Sequence, residues 1–150
     1  MKRERRRARN MALQALYEVD CVGHPVEEVI ARSLSEKKSF GDEAALFFRN
    51  LVLGTLNAKT KLDNIIAEYA PEWPIDELAI VDRSVLRLAL WELLSSNETP
   101  LKVVINEAVE LAKRYGSSSA PRFVNGVLGT IALQKQEIRR KIPQISEGTY

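Results

Sequence analysis

The stretch DELAIVDRSVLRLALWELL, residues 76–94, constrains the fold more than any other. From Ile80 onward its apolar side chains go almost all the way round a helix, leaving little polar face. Such a helix is stable only where neighbours cover it, so this segment belongs at the centre of a helical assembly. It is not a membrane span, because no run in the chain approaches the ~18 apolar residues that a span requires.

The remaining apolar spacing is helical as well. One helix is predicted from about Glu4 to Cys21, stopped by Gly23-His24-Pro25, and a short one from about Val26 to Ser35. A long pattern starts at Asp42, a plausible N-cap, and keeps the i, i+3, i+4, i+7 order through Leu62, Ile65, Ile66 and Tyr69. Gly54 is expected to bend it, and Pro71 and Pro74 to stop it. Thr99-Pro100 reads as a cap followed by the first residue of a helix that Gly116 closes after Tyr115. Pro121 opens a last helix reaching about Lys141. No strand or repeat is evident. The expectation is an all-α bundle of six to seven helices forming one domain over residues 1–150. Its two packed helical subdomains, about 1–70 and 75–142, meet near Trp73. A chain of 150 residues is long enough to bury roughly two-thirds of its unfolded surface.

Composition excludes most catalysis. A single cysteine, Cys21, allows no internal disulfide, and with a single histidine, His24, no Cys/His zinc site can be assembled. A nucleophilic triad would have to use that histidine, which sits in a turn-like GHP. Glu107 and Glu110 lie three apart on one helix without the histidines a carboxylate-bridged metal pair needs. NGVLGT has two glycines but lacks the lysine of a phosphate-binding loop. The expectation is therefore no enzyme, no cofactor and no metal. Cysteine usage fits a reducing compartment, and the N-terminus lacks the apolar core of a signal peptide, so a cytoplasmic location is expected.

Charge is unevenly placed. Residues 1–9 hold six bases and one acid, leaving 16 bases and 19 acids for the rest of a chain whose net charge is +2. On a wheel of about 100° per residue, Ala8, Met11, Ala12, Ala15, Leu16 and Val19 form a core stripe. Lys2, Arg6, Arg9 and Tyr17 fall roughly opposite, flanked by Arg5 and Asn10, while Arg3 and Arg7 diverge. A line of cations ending at an aromatic ring suits single-stranded nucleic acid, where cations track phosphates and the ring takes an unstacked base. A partner protein, an acidic surface, or a merely solvated helix end with Tyr17 packed under a neighbour fits the same pattern. Leu13, in the same arc, shows that something apolar covers part of it.

RRRARNMALQALYEVD, VDRSVLRLALWELL and INEAVELAKRYG with RFVNGVLG resemble, in order and spacing, the NusB family of bacterial transcription antitermination factors. The resemblance spans about residues 2–133. A related helical module precedes the catalytic domain of rRNA cytosine methyltransferases, but at 150 residues the chain fits the stand-alone factor. A helical protein–protein adaptor without direct RNA contact is the other alternative.

What the resemblance implies is binding of the single-stranded boxA element of nascent rRNA together with NusE, a small-subunit ribosomal protein. The complex then joins the elongating RNA polymerase, and self-association as a dimer occurs in some members. Its RNA-binding positions fall on Lys2, Arg5, Arg6, Arg9 and Tyr17, then on Tyr115, where the family often has phenylalanine, and on Arg122 and Phe123. The NusE surface falls on Asp76 and Asp82. Asn106, Glu107 and Asn125 read as structural residues at helix junctions, with Arg83 and Arg87 the nearest partners by pattern.

Overall fold

The structure, a computed structural model, describes residues 2–36, 40–72, 74–96 and 98–143, apart from the side chain of Lys2. Eight α-helices follow one another among these residues: α1 Lys2–Tyr17, α2 Val26–Glu36, α3 Asp42–Asn57, α4 Lys59–Tyr69, α5 Ile80–Ser95, α6 Leu101–Tyr115, α7 Ala120–Ala132 and α8 Lys135–Lys141. A π turn, Glu18–Val22, prolongs α1, and a 3-10 turn, Ile75–Glu77, precedes α5. The fold is all-α, as the spacing requires. No helix among the described residues is long and apolar enough to cross a membrane.

Helix α5 is the centre. It packs against α1, α3, α4, α6, α7 and α8, and Val85, Leu86, Leu90 and Leu94 are fully enclosed. Each such side chain contributes roughly 1.5–3 kcal/mol by leaving water. One apolar cluster, from Ala8 in α1 to Ile138 in α8, runs around it. Helices α1, α2 and α3 pack on one another, as do α5, α6 and α7, while α4 reaches both α3 and the pair α5 and α7. The junction expected at Trp73 lies outside the described residues.

Two predicted helices are each divided. The pattern from Asp42 to Tyr69 breaks at Ala58, whose backbone leaves the helical region (φ −95°, ψ 4°). The last one breaks at Leu133 and Gln134, with Leu133 84% exposed. Neither break carries proline or glycine, and Thr55 and Leu62 keep the apolar stripe in phase across the first, so spacing alone joins the pieces. Helix α3 runs on through Gly54 without a break. A Cβ there would lie 2.1 Å from the Trp91 ring, so glycine is needed for α3 to approach α5 closely. Two helix starts shift by one residue: Gly41 and Pro100 stand at the N-cap positions expected of Asp42 and Thr99. Helix α1 ends as expected, at Gly23 in the left-handed region (φ 82°).

Candidate nucleic-acid interface

Helix α6 lies beside α1 and runs parallel to it. Arg6 of α1 donates from Nε and Nη2 to Glu107 of α6, at 3.0 and 3.1 Å. Eight residues further along both helices, Gln14 Nε2 donates to the Tyr115 hydroxyl at 3.2 Å. The constant offset leaves a groove about 12 Å long between the two contacts, at 1.5 Å rise per residue. Its mouth, a depression of about 300 Å3, is lined by Arg6, Arg9, Asn10, Glu107, Glu110, Leu111, Lys113 and Arg114. The other end, about 240 Å3, is lined by Leu13, Gln14, Tyr17, Val81 and Tyr115.

The mouth is held by ion pairs. Arg9, 5% exposed, donates from Nε and Nη2 to both carboxylate oxygens of Glu92 in α5, at 2.9 and 2.6 Å. Its Nη1 lies 3.7 Å from Glu107, so that carboxylate sits between a buried and an exposed guanidinium. The Glu107 hydrogen bond first, and its charge second, raise the Arg6 pKa above its ordinary value. Asn10 Nδ2 donates to the Arg6 carbonyl at 2.8 Å. Lys113 Nζ lies 3.1 Å from Glu110. Arg114 packs over the Tyr115 ring, 5.4 Å from its centroid.

The other end is apolar and aromatic. Tyr17 is 43% exposed, Tyr115 half-buried and Leu13 buried beneath them. Hydrogen bonding with Cys21 in the π turn raises the Tyr17 phenol above its usual pKa, so the ring is neutral at working pH. The corner after Tyr115 is tied to α5: Ser117 donates from its backbone N–H and its hydroxyl to Asp82, at 3.2 and 2.8 Å.

Of the expected site residues, Arg6 lines the mouth, and Tyr17 and Tyr115 line the depression at the other end. Arg9 borders the mouth from inside and is not the solvent-facing cation the wheel implied, because Glu92 of α5 lies on that side and draws it in. Arg5 turns toward α3, stacking 4.5 Å from the Phe47 centroid, with Glu43 Oε1 at 3.4 Å and Glu98 Oε2 at 3.7 Å. Lys2 begins α1. Arg122 is exposed on the first turn of α7, outside the residues lining the groove. Phe123, 5% exposed, is a core residue and offers no free ring, since its position on α7 faces the central cluster.

Asp76 is exposed, whereas Asp82 is 2% exposed and occupied by Ser117, so it presents no charge to a partner surface. Glu107 pairs with Arg6 and Arg9 and not with Arg83 or Arg87; Arg87 is taken by Asp63, at 2.7 and 2.8 Å. Asn106 and Asn125 are exposed on α6 and α7 instead of sitting at junctions.

Gln14, Glu92, Lys113 and Arg114 escaped the sequence reading. Gln14 sits at the helical step between Asn10 and Tyr17, and Glu92 is an acid on an otherwise apolar helix face, which a buried cation must answer.

Fold and groove define a helical protein with cations at one end of a surface channel and aromatic rings at the other, the make-up of a nucleic-acid-binding surface. The NusB family model matches residues 6–133, and the chain belongs to that family of transcription antitermination factors, which are not enzymes. It is 49% identical to the transcription antitermination protein NusB of Roseiflexus sp. over 138 residues, covering 91% of this chain and 96% of that protein. Among solved structures it is similar to T. maritima NusB, with TM-score 0.79, 33% identity, and 91% and 96% of the two chains covered. It is also similar to a NusB chain crystallised with NusE and double-stranded RNA, with TM-score 0.76, 33% identity, and 89% and 98% covered.

Proposed function

We propose that this chain binds the boxA element of nascent rRNA transcripts as a single strand along the α1–α6 groove. In this reading it acts in the bacterial cytoplasm together with NusE and joins the elongating RNA polymerase. The observation that carries the reading is that one pair of helices, about a hundred residues apart in sequence, sets Arg6 in a depression at one end and Tyr17 with Tyr115 in a depression at the other. The NusB–NusE neighbour crystallised with double-stranded RNA supports the RNA and NusE parts of this reading, while the single-strand mode rests on the site itself.

Arg6 meets the backbone in the groove, Lys2, Arg5 and Arg122 add positive charge around it, and Tyr17 and Tyr115 stack on bases. Arg9 positions Glu107, and through it Arg6; Phe123 positions the start of α7. Asp76 remains as the acidic contact for basic NusE. A dimer of this chain would compete with RNA if it covered the groove.

Neutralising about four phosphates on a single strand gives a log–log salt slope near −3, a loss of about 50-fold from roughly 50 to 200 mM salt. Fluorescence anisotropy with a labelled boxA strand, with and without NusE, reads this directly. A flat salt response, or equal binding of a duplex of the same sequence, rejects the single-strand groove.

A further inference from the structure

Three of the four cations at the mouth of the groove already face carboxylates of their own chain, while Arg114 packs on the Tyr115 ring. Arg6 is bridged to Glu107 through two hydrogen bonds, Arg9 to Glu92 through two, and Lys113 to Glu110 at 3.1 Å. The two members of the first pair differ in freedom. The Arg6 side chain is 67% exposed, whereas that of Glu107 is 12% exposed and backed by Arg9, itself anchored on α5. A phosphate arriving from solvent therefore meets Arg6 with its Nε and Nη2 already turned to a carboxylate, and meets two negative charges on α6, of which Glu107 is hemmed in and Glu110 is exposed beside Lys113.

We infer that Glu107, seconded by Glu110, is a specificity-determining residue: a built-in competitor for phosphate that denies the groove to polyanions with no base to place between Tyr17 and Tyr115. The inference rests on the RNA reading of the groove.

Exchange of an exposed guanidinium from a carboxylate to a phosphate is nearly an even trade, since both are charge-assisted pairs in a wet environment. Repulsion between the incoming strand and the displaced carboxylate remains. Phosphate contact at the mouth then yields little surplus, and binding is decided at the aromatic end, where stacking needs an unpaired base. Selectivity is a difference between two affinities, so a repulsive element enlarges it only by penalising one ligand more than the other; a strand without bases depends wholly on phosphate contacts at the mouth and takes the full penalty, whereas a strand seated by its stacked bases can hold its phosphates back from Glu107. The positive head thus attracts RNA at a distance while the groove itself withholds affinity from charge alone.

The test uses the full chain and two strands of equal length, a boxA 12-mer and an abasic 12-mer that carries ribose and phosphate without bases. Glu107→Gln should bind the abasic strand about ten-fold tighter and boxA only about three-fold tighter, shrinking the ratio between them. Glu107→Asp, which keeps the charge, should stay within about two-fold of wild type in that ratio. Glu110→Gln, at an exposed position, should shift it in the same direction by about two-fold.

An unchanged ratio in Glu107→Gln, with wild-type circular dichroism and Tm, overturns this inference alone. Should that variant lose its fold, an unchanged ratio in Glu110→Gln overturns it instead. A wild-type chain that binds neither strand overturns the groove reading, and this inference falls with it.

Discussion

The two ends of the α1–α6 groove are built on opposite plans. At the mouth, Arg6, Arg9 and Lys113 are matched with Glu107, Glu92 and Glu110, which leaves Arg114 as the cation there without a carboxylate opposite it among the described residues. At the far end Tyr17 and Tyr115 stand over Leu13 and Val81, and the polar contact between the two helices there is the neutral Gln14–Tyr115 hydrogen bond. The mouth is stiff because breaking a pair strands a partner; the aromatic end is soft and open to solvent. The phosphates of a strand are therefore met at the first end, where its carboxylates compete for them, and its bases at the second.

The largest effect expected comes from breaking the mouth at its root. Arg9→Met leaves Glu92 and Glu107 without their buried cation, and removal of one member of a buried pair costs about 3–5 kcal/mol. Urea denaturation should report that loss, with a Tm lower by about 10 °C. The double variant Arg9→Met/Glu92→Leu should recover most of it, since a well-packed apolar pair replaces a buried ionic one at little cost. A single variant within about 1 kcal/mol of wild type would show that Arg9 does not pin the mouth.

Next in size is the corner that sets the aromatic end. Asp82→Ala removes both acceptors of Ser117 beside the end of α6, at a cost of about 2–3 kcal/mol for a charged buried acceptor. Hydrogen exchange at Ser117 should accelerate with it. Protection as strong as in wild type would mean that the corner is held by packing alone.

The contrast also separates what sequence patterns carry from what they do not. The centrality of α5 was legible because an all-round apolar helix has one place to go. Tyr17 and Tyr115 were legible as aromatic candidates, the one from its arc on α1 and the other from the family motif around it. Arg9 was not. A wheel assigns a side chain to the face opposite the core stripe, but whether a further helix lies on that face is tertiary information, and α5 and α6 both do. Asp82, which the resemblance puts on the NusE surface, was not legible either: it stands in the first turn of α5 but is taken by Ser117 at the α6–α7 corner. The breaks at Ala58 and Leu133 were invisible because no residue there forbids a helix; the chain turns because packing beyond each break favours a new direction. In each case local propensity was right and the neighbour across space decided the outcome.

The aromatic end can be sharpened by itself. Tyr17→Leu keeps apolar bulk over Leu13 but removes the ring, so affinity for a boxA strand should weaken by about 1–3 kcal/mol. Affinity for an abasic strand should stay the same, and circular dichroism should remain that of the wild type. Equal losses on both strands would assign Tyr17 to the backbone path and erase the division between the two ends.

The smallest expected effect lies in the π turn that carries the chain away from Tyr17. Glu18 accepts hydrogen bonds from Arg32 and from His24 Nδ1, the latter at 2.6 Å, and both hold its carboxyl below the ordinary value of 4.5, Arg32 first. A carboxylate whose folded pKa is depressed stabilises the fold above its unfolded pKa, and that contribution disappears as pH falls through the folded value. Because the cluster faces solvent, Glu18→Gln should lower Tm by only about 1–2 °C at neutral pH. The gap to wild type should begin to close as pH drops below 4.5 and vanish once the wild-type carboxyl is protonated. Melting curves of both proteins down that range decide it: a gap that persists at the acid end would show that the π turn beside Tyr17 is secured by the shape of residue 18 and not by its charge.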